Sequence, residues 1–467
     1  MHKRLFAVFS ILLAAAFVLS ACATQTPAAP APTEAPAQPA ATSAPAATSA
    51  PAAQSCEVYY LNFKPEVADV YAKIADEYKA ETGNTLKVVT AAAGTYEQTL
   101  KSEMAKSDAP TLFQINGPVG YQNWKDYTAD LKDTDLYKHL SDPNLAVKDG
   151  DGVFGIPYVV EGYGIIYNDA ILSKYFAMPD AKAKSIDEVN TFDKLKAVVE
   201  DMQAKKGDLG IKGVFSSTSL KTGEDWRWQT HLMDLPVFYE WRDNNISLAA
   251  AGADNFKFQY ADQFKNLFDL YLKNSTTAPG LLGSKSVDDS MAEFALGQSA
   301  MVQNGNWAWG QISGVQGNTV KPEDVKFLPM YMGMSGEEKQ SIAVGTENYF
   351  SVNKQASPEK QKCAEDFAYW LFSSPKGKSF VTNDLKFIAP FDTFADNEKP
   401  TDPLAKEVIR YVSNKDLYNV AWDFVKFPGQ AWKNDFGAAL LQYAQGKMSW
   451  DDVTKLAVTE WPTKYGQ

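Results

Sequence analysis

Hydrophobic and polar positions alternate between two rhythms along this chain. "CEVYYLNF" (56–63) is a short run of β-branched and aromatic residues, which predicts a buried strand. After Pro65, residues Val67, Val70, Tyr71, Ile74 and Tyr78 recur at helical spacing on one face, and "TGN" (82–84) ends that helix. "TLKVVTA" predicts a second strand, a helix follows from about Tyr96, and "TLFQIN" (111–116) predicts a third strand. Strands alternating with helices predict an α/β fold with a mostly parallel sheet and crossover helices. Ligands of such sheets bind beyond the carboxyl ends of the strands. That rule puts Asn62, Phe63 and Asn116 near a cleft, although each also reads as an ordinary loop residue. In "DGVFGIPYVVEGYGIIYN" (151–168) an apolar strand is interrupted by Glu161. A carboxylate there is costly without a partner, so Glu161 is either half of a structural salt bridge or a ligand contact where the chain crosses between lobes.

The N-terminus follows neither rhythm. Lys3 and Arg4 precede an apolar stretch from Leu5 to Leu19, the pattern of a signal segment. Leu19-Ser20-Ala21-Cys22 resembles a bacterial lipobox, which implies cleavage before Cys22, acylation of its sulfur and a lipid-anchored protein on the outer face of the cell membrane. Residues 23–54 are almost only Ala, Pro, Thr, Ser and Gln, a solvated tether that reaches up to ~100 Å at ~3.1 Å per residue. The remainder, from Ser55, is long enough for two lobes with separate cores. No later run of about 20 apolar residues predicts a membrane span. The net charge of −12 excludes nucleic acid, which needs a basic footprint. With Cys22 assigned to lipid, Cys56 and Cys363 are the only possible pair, either as a disulfide, the expectation taken here, or as two buried thiols.

Catalytic signatures are missing from the sequence. The histidines are His2, His139 and His231, and no metal-ligand, nucleophile or phosphate-loop motif accompanies them. "KDGDGV" (148–153) places Val153 where a calcium loop needs a ligand, so it reads as a turn before a strand. No cofactor and no metal are expected. The aromatics are more informative. They cluster with amides and acids in "GEDWRWQTH" (223–231), "NGNWAWG" (304–310) and "YNVAWDFVKFPGQAW" (418–432). Aromatic faces stack on flat C–H surfaces while amides and acids satisfy hydroxyls, a combination that suits sugars. Core packing accounts for about half of these tryptophans.

"MAEFALGQSAMVQNGNWAWG" resembles the segment F-x-x-G-x-x-A-M-x-x-N-G-x-W-A-W of bacterial maltose-binding protein and its relatives. "IPYVVEGYGIIYN" is similar to that family's ligand-binding strand, with Glu161 at its glutamate. "SVNKQASPEKQKCAEDFAYWLFSSPKGK" resembles its late helix, and "AW" (431–432) its C-terminal stacking aromatic. The order and spacing agree across essentially the whole chain after the tether. On these motifs the chain is identified as similar to the cluster 1 extracellular solute-binding proteins of ABC importers, most of which carry oligosaccharides. The resemblance places Trp307 on the first stacking tryptophan, Trp432 on the second and Trp226 near a third ring, and Trp309 is expected to pack beneath Trp307. "EDW" (224–226) departs from the maltose protein's Glu-Pro-Tyr, and "INGPVGYQNW" (115–124) lacks its acidic-basic pair, which puts the particular sugar in doubt.

The resemblance implies a two-lobed, type II-like periplasmic-binding-protein fold with parallel-rich sheets flanked by helices and a hinge between lobes. One lobe comprises residues 55–160 and 348–395, the other 161–347 and 396–467, with crossings near 158–163, 341–349 and 391–400. A monomer would hold an oligosaccharide between the lobes, close around it and dock on membrane permease subunits. Trp307, Glu161, Trp432, Trp226, Asn116, Asn62, Phe63, Glu347, Asn306 and Trp422 form the expected ligand set. Two other classes stay open: a lipid-anchored glycosidase using Glu161 and Glu347 as paired carboxylates, and a carrier of peptides, polyamines or metal.

Overall fold

A computed structural model describes residues 55–92 and 94–465. The signal-like segment, Cys22 and the tether lie outside the described residues. In chain order the first strands are β1 (Glu57–Asn62), β2 (Thr85–Thr90), β3 (Leu112–Ile115), β4 (Val147–Asp149), β5 (Gly152–Pro157) and β6 (Glu161–Asn168). They are followed by β7 (Gly213–Phe215), β8 (Ser299–Gly305), β9 (Val325–Leu328), β10 (Gln340–Gly345), β11 (Tyr349–Val352) and β12 (Tyr418–Ala421).

Two sheets result, ordered β2-β1-β3-β11-β5-β4 and β12-β10-β6-β8-β7, with β9 on β6. The first strands form as their pattern predicts. Val58 to Leu61 are buried in β1, and the helix Ala68–Thr82 buries Tyr71, Ile74 and Tyr78. That helix stops at Gly83, whose φ of 76° is the left-handed cap that glycine tolerates.

The sheets are mixed, not parallel-rich. β1 runs parallel to β2 and β3, β7 to β8, and β10 to β12, whereas β11, β5, β4, β6 and β9 add antiparallel pairs. Connection length explains this. A parallel neighbour needs a long crossover, but β5 passes to β6, and β10 to β11, through three residues each. The two connections form an antiparallel ribbon, with Phe350 opposite Ile156 at one end and Gly345 opposite Glu161 at the other. The stretch 151–168 is therefore two strands in two sheets, and Glu161 opens the second. A third passage lies between Phe391, in the first lobe's core, and Leu404, in the second's.

The helix Pro358–Ser373 covers the first sheet, and its Phe367 and Trp370 meet Tyr78 edge to face. Cys363 on this helix is joined to Cys56 by a disulfide, with Cα atoms 5.9 Å apart across 307 residues of sequence. Among the described residues no helix is long and apolar enough to cross a membrane.

Candidate functional site

The ribbon between the lobes carries a buried charge pair. Lys64 follows β1, and its Nζ lies 2.8 Å from Glu161 Oε1 and 3.3 Å from Glu66 Oε1. The other Glu161 oxygen accepts a 2.7 Å hydrogen bond from Asn348 Nδ2. Burial pushes the Glu161 carboxyl above its ordinary range, with Lys64 and Asn348 opposing that shift. Burial also pulls on Lys64, but the Glu161 and Glu66 carboxylates more than offset it and hold the ammonium above its usual value. Lys64 was not among the expected ligand residues. Only the long-range fold brings it to Glu161.

Lys64 also reaches the second lobe, where its Nζ stands 5.2 Å from the centre of the Trp307 ring. Trp307 is half-buried, and Gly305 makes its pose possible, since a Cβ there would fall 2.1 Å from the indole. Trp226 lies 5.9 Å and Trp422 6.5 Å from Trp307. Trp226 opens a π-helical stretch, Arg227–Leu232, a geometry frequent at functional sites. That stretch turns His231 in behind the indoles, 4.2 Å from Tyr163, 5.2 Å from Trp226 and 5.4 Å from Trp422. Neither His231 ring nitrogen has a hydrogen-bond partner among the described residues. Burial pulls its pKa down to about 3, so the ring is neutral and acts as a flat wedge behind the tryptophans.

Three charged side chains complete the surroundings. Glu347, in the ribbon, is half-buried, and burial followed by the Glu161 charge raises its pKa to about 7 against the pull of Lys433 and Lys64. Burial depresses Lys433 on the helix Gln430–Ala444, with Glu347 and Glu97 opposing. Glu97, also raised by burial, accepts a 2.9 Å bond from Trp124 Nε1.

Other expected ligand residues are placed differently. Trp432 is 0% exposed, stacks on Phe436 at 5.2 Å and donates its indole N–H to the Ala457 carbonyl at 3.0 Å. It belongs to the second lobe's core, and the next residue, Lys433, takes the side of the helix that faces Glu347. Asn62 is fully buried and spends its amide on the turn that follows β1, donating to the Lys64 carbonyl at 2.8 Å and to Thr90 Oγ1 at 3.1 Å. Asn306 clasps Gly162, giving its N–H to the Gly162 carbonyl at 3.0 Å and accepting the Gly162 N–H at 2.9 Å. Trp422 is nearly buried and stands edge-on to Trp307. Phe63, half-buried, meets Tyr96 at 5.3 Å, and half-buried Asn116 accepts a 2.7 Å bond from Gln114. Trp309 packs in a separate core with Phe294 and Ile312.

Chemically, the cluster brings indole rings together with carboxyl groups and the ammonium groups of Lys64 and Lys433. Residues 73–407 match the family described as bacterial extracellular solute-binding protein. A 114-residue stretch is 32% identical to the melibiose/raffinose/stachyose-binding protein MelE of Bacillus subtilis (strain 168), covering 24% of this chain and 26% of that relative. The fold is similar to that of a sugar transporter from Bacillus licheniformis in complex with stachyose, at 19% identity and a TM-score of 0.61 over 87% of this chain and 99% of the other. It is also similar to maltose-bound T. maritima MalE3, at 15% identity and a TM-score of 0.63 over 87% and 99% of the two chains. The match across most of the sequence and the two-lobed architecture together make this chain a member of the bacterial extracellular solute-binding protein family.

Proposed function

We propose that the protein captures an oligosaccharide between its lobes and hands it to the membrane subunits of an ABC importer, without a chemical step. The observation that carries this reading is the half-buried pair Trp226 and Trp307, with Lys64 of the other lobe above it. Indole faces take the C–H surfaces of pyranose rings, and Glu347, Lys433 and Glu97 take hydroxyls through charge-assisted bonds. The relatives that bind melibiose, raffinose, stachyose or maltose support the ligand class.

Both Glu161 oxygens are engaged, by Lys64 and Asn348, which favours a structural role for this carboxylate over a catalytic one. In this reading a monomer acts at the outer face of the membrane, held by lipid on Cys22 and spaced from it by residues 23–54. A thermal-shift screen over α-galactosides, α-glucans and β-linked oligosaccharides tests the ligand class. A true ligand at 100 times its Kd adds about 2.7 kcal/mol of apparent stability. A shift from peptides or polyamines alone, or sugar products on prolonged incubation, would overturn the reading.

A further inference from the structure

Each of the two tryptophans that meet Trp307 lies close in sequence to a place where the two lobes touch. Three residues before Trp226, Gly223 of the second lobe meets Gly94 of the first. A Cβ on Gly94 would fall 2.5 Å from the Gly223 Cα and 2.8 Å from its carbonyl oxygen. Both residues have left-handed backbone, with φ of +72° and +83°. Three residues after Trp422, Val425 of the second lobe meets Gly117 of the first, where a Cβ would stand 2.9 Å from the Val425 Cβ. Gly94 and Gly117 lie just beyond the carboxyl ends of β2 and β3, the end of such a sheet where ligands bind. Trp307 meets both Trp226 and Trp422, at 5.9 and 6.5 Å between ring centres. At both places the first lobe presents a glycine, so the lobes meet there without a first-lobe side chain between them.

We propose that these glycine contacts close both ends of the ligand groove, so that the protein takes short oligosaccharides and rejects long chains. The inference rests on the oligosaccharide reading above and adds the length of the ligand. A chain continuing past either end would hold the lobes apart and forfeit the closed state that gives tight binding.

The test is calorimetric titration with homologous series: maltose to maltoheptaose, xylobiose to xylohexaose, and raffinose, stachyose and verbascose. Within the series that binds, affinity should peak at a short member and fall about tenfold or more for the longest. Gly94→Ala, whose Cβ would fall 2.5 Å from the Gly223 Cα, should weaken the best short sugar about tenfold and flatten the dependence on length. Gly117→Ala, whose Cβ would stand 2.9 Å from the Val425 Cβ, tests the other contact and should do the same if the first variant fails to fold. Gly83→Ala is the control for backbone strain, since Gly83 has φ +76° and nothing within 4 Å of an added Cβ. It should lower Tm and leave the length preference intact. Equal affinity for the shortest and longest members, or an unchanged length profile in the folded glycine variants, would overturn the proposal. If no member of any series binds, the oligosaccharide reading fails and this inference fails with it.

Discussion

Lys64 ties three parts of the molecule together through one ammonium. It pairs with Glu161 at 2.8 Å and Glu66 at 3.3 Å, and it stands over Trp307. Breaking a buried pair by removing one partner strands the other charge, typically at about 3–5 kcal/mol. Lys64→Met should therefore destabilise the protein by about that amount, and Glu161→Gln by less, because glutamine keeps the bond from Asn348. Adding Glu161→Gln to Lys64→Met should recover part of the loss. Chemical denaturation of the two single variants and the double variant measures this coupling, and strict additivity would contradict a direct pair. Glu161 stood out in the sequence as a carboxylate in an apolar run. Its partner did not, since nothing local separates a lysine two residues past a strand from any surface lysine. His231 was equally illegible, because the rings around it, Tyr163, Trp226, Trp307, Trp422 and Phe424, come from four separate segments.

At the scale of elements, the disulfide fixes β1 to the helix Pro358–Ser373. Reducing it, or replacing Cys56 and Cys363 with serine, should cost about 2–5 kcal/mol through the entropy of a very long open loop. Non-reducing mass spectrometry should find neither thiol alkylatable, and two labelled thiols per chain would contradict the bridge. The elements themselves were largely legible where one period dominates, as in β1, the helix after it and β2. Two elements misled for identifiable reasons. The run 151–168 looks like one strand because both of its halves are apolar, yet β5 and β6 are buried in different sheets. Trp432 shares the spacing of Phe436 and Leu440, which is the core face of its helix. That spacing sets Trp432 on the core face of its helix, whereas the resemblance carried by the dipeptide "AW" points it at the ligand.

Over the whole molecule, buried titratable groups oppose each other in their effect on stability. His231 is held near pKa 3, below its ordinary 6.5. Between those values the unfolded chain binds a proton that the native state refuses, so stability falls as pH drops through that window. Glu347, raised from 4.5 to about 7, has the opposite sign, since the native state keeps a proton that the unfolded chain has released. Its contribution is fully present below about pH 4.5 and fades as pH rises through 7. Thermal denaturation across pH 4 to 8 should show His231→Phe losing less stability than the wild type on acidification. Glu347→Gln should lose less on passing from pH 5 to pH 8. Parallel profiles for all three proteins would contradict these assignments.

In the proposed site Trp307 meets both Trp226 and Trp422 and lies beneath Lys64, so it is expected to carry most of the stacking on the sugar. The most direct measurement is calorimetric titration of the wild type and Trp307→Ala with the sugar found by thermal shift, alongside their melting curves. Loss of a buried aromatic anchor should weaken binding by about 1–3 kcal/mol and leave Tm nearly unchanged. Trp432→Ala, by contrast, should lose about 3–5 kcal/mol of stability as a core deletion. Equal affinity in the wild type and Trp307→Ala, or a loss of affinity that merely tracks unfolding, would contradict a binding role for this tryptophan and with it the proposed site.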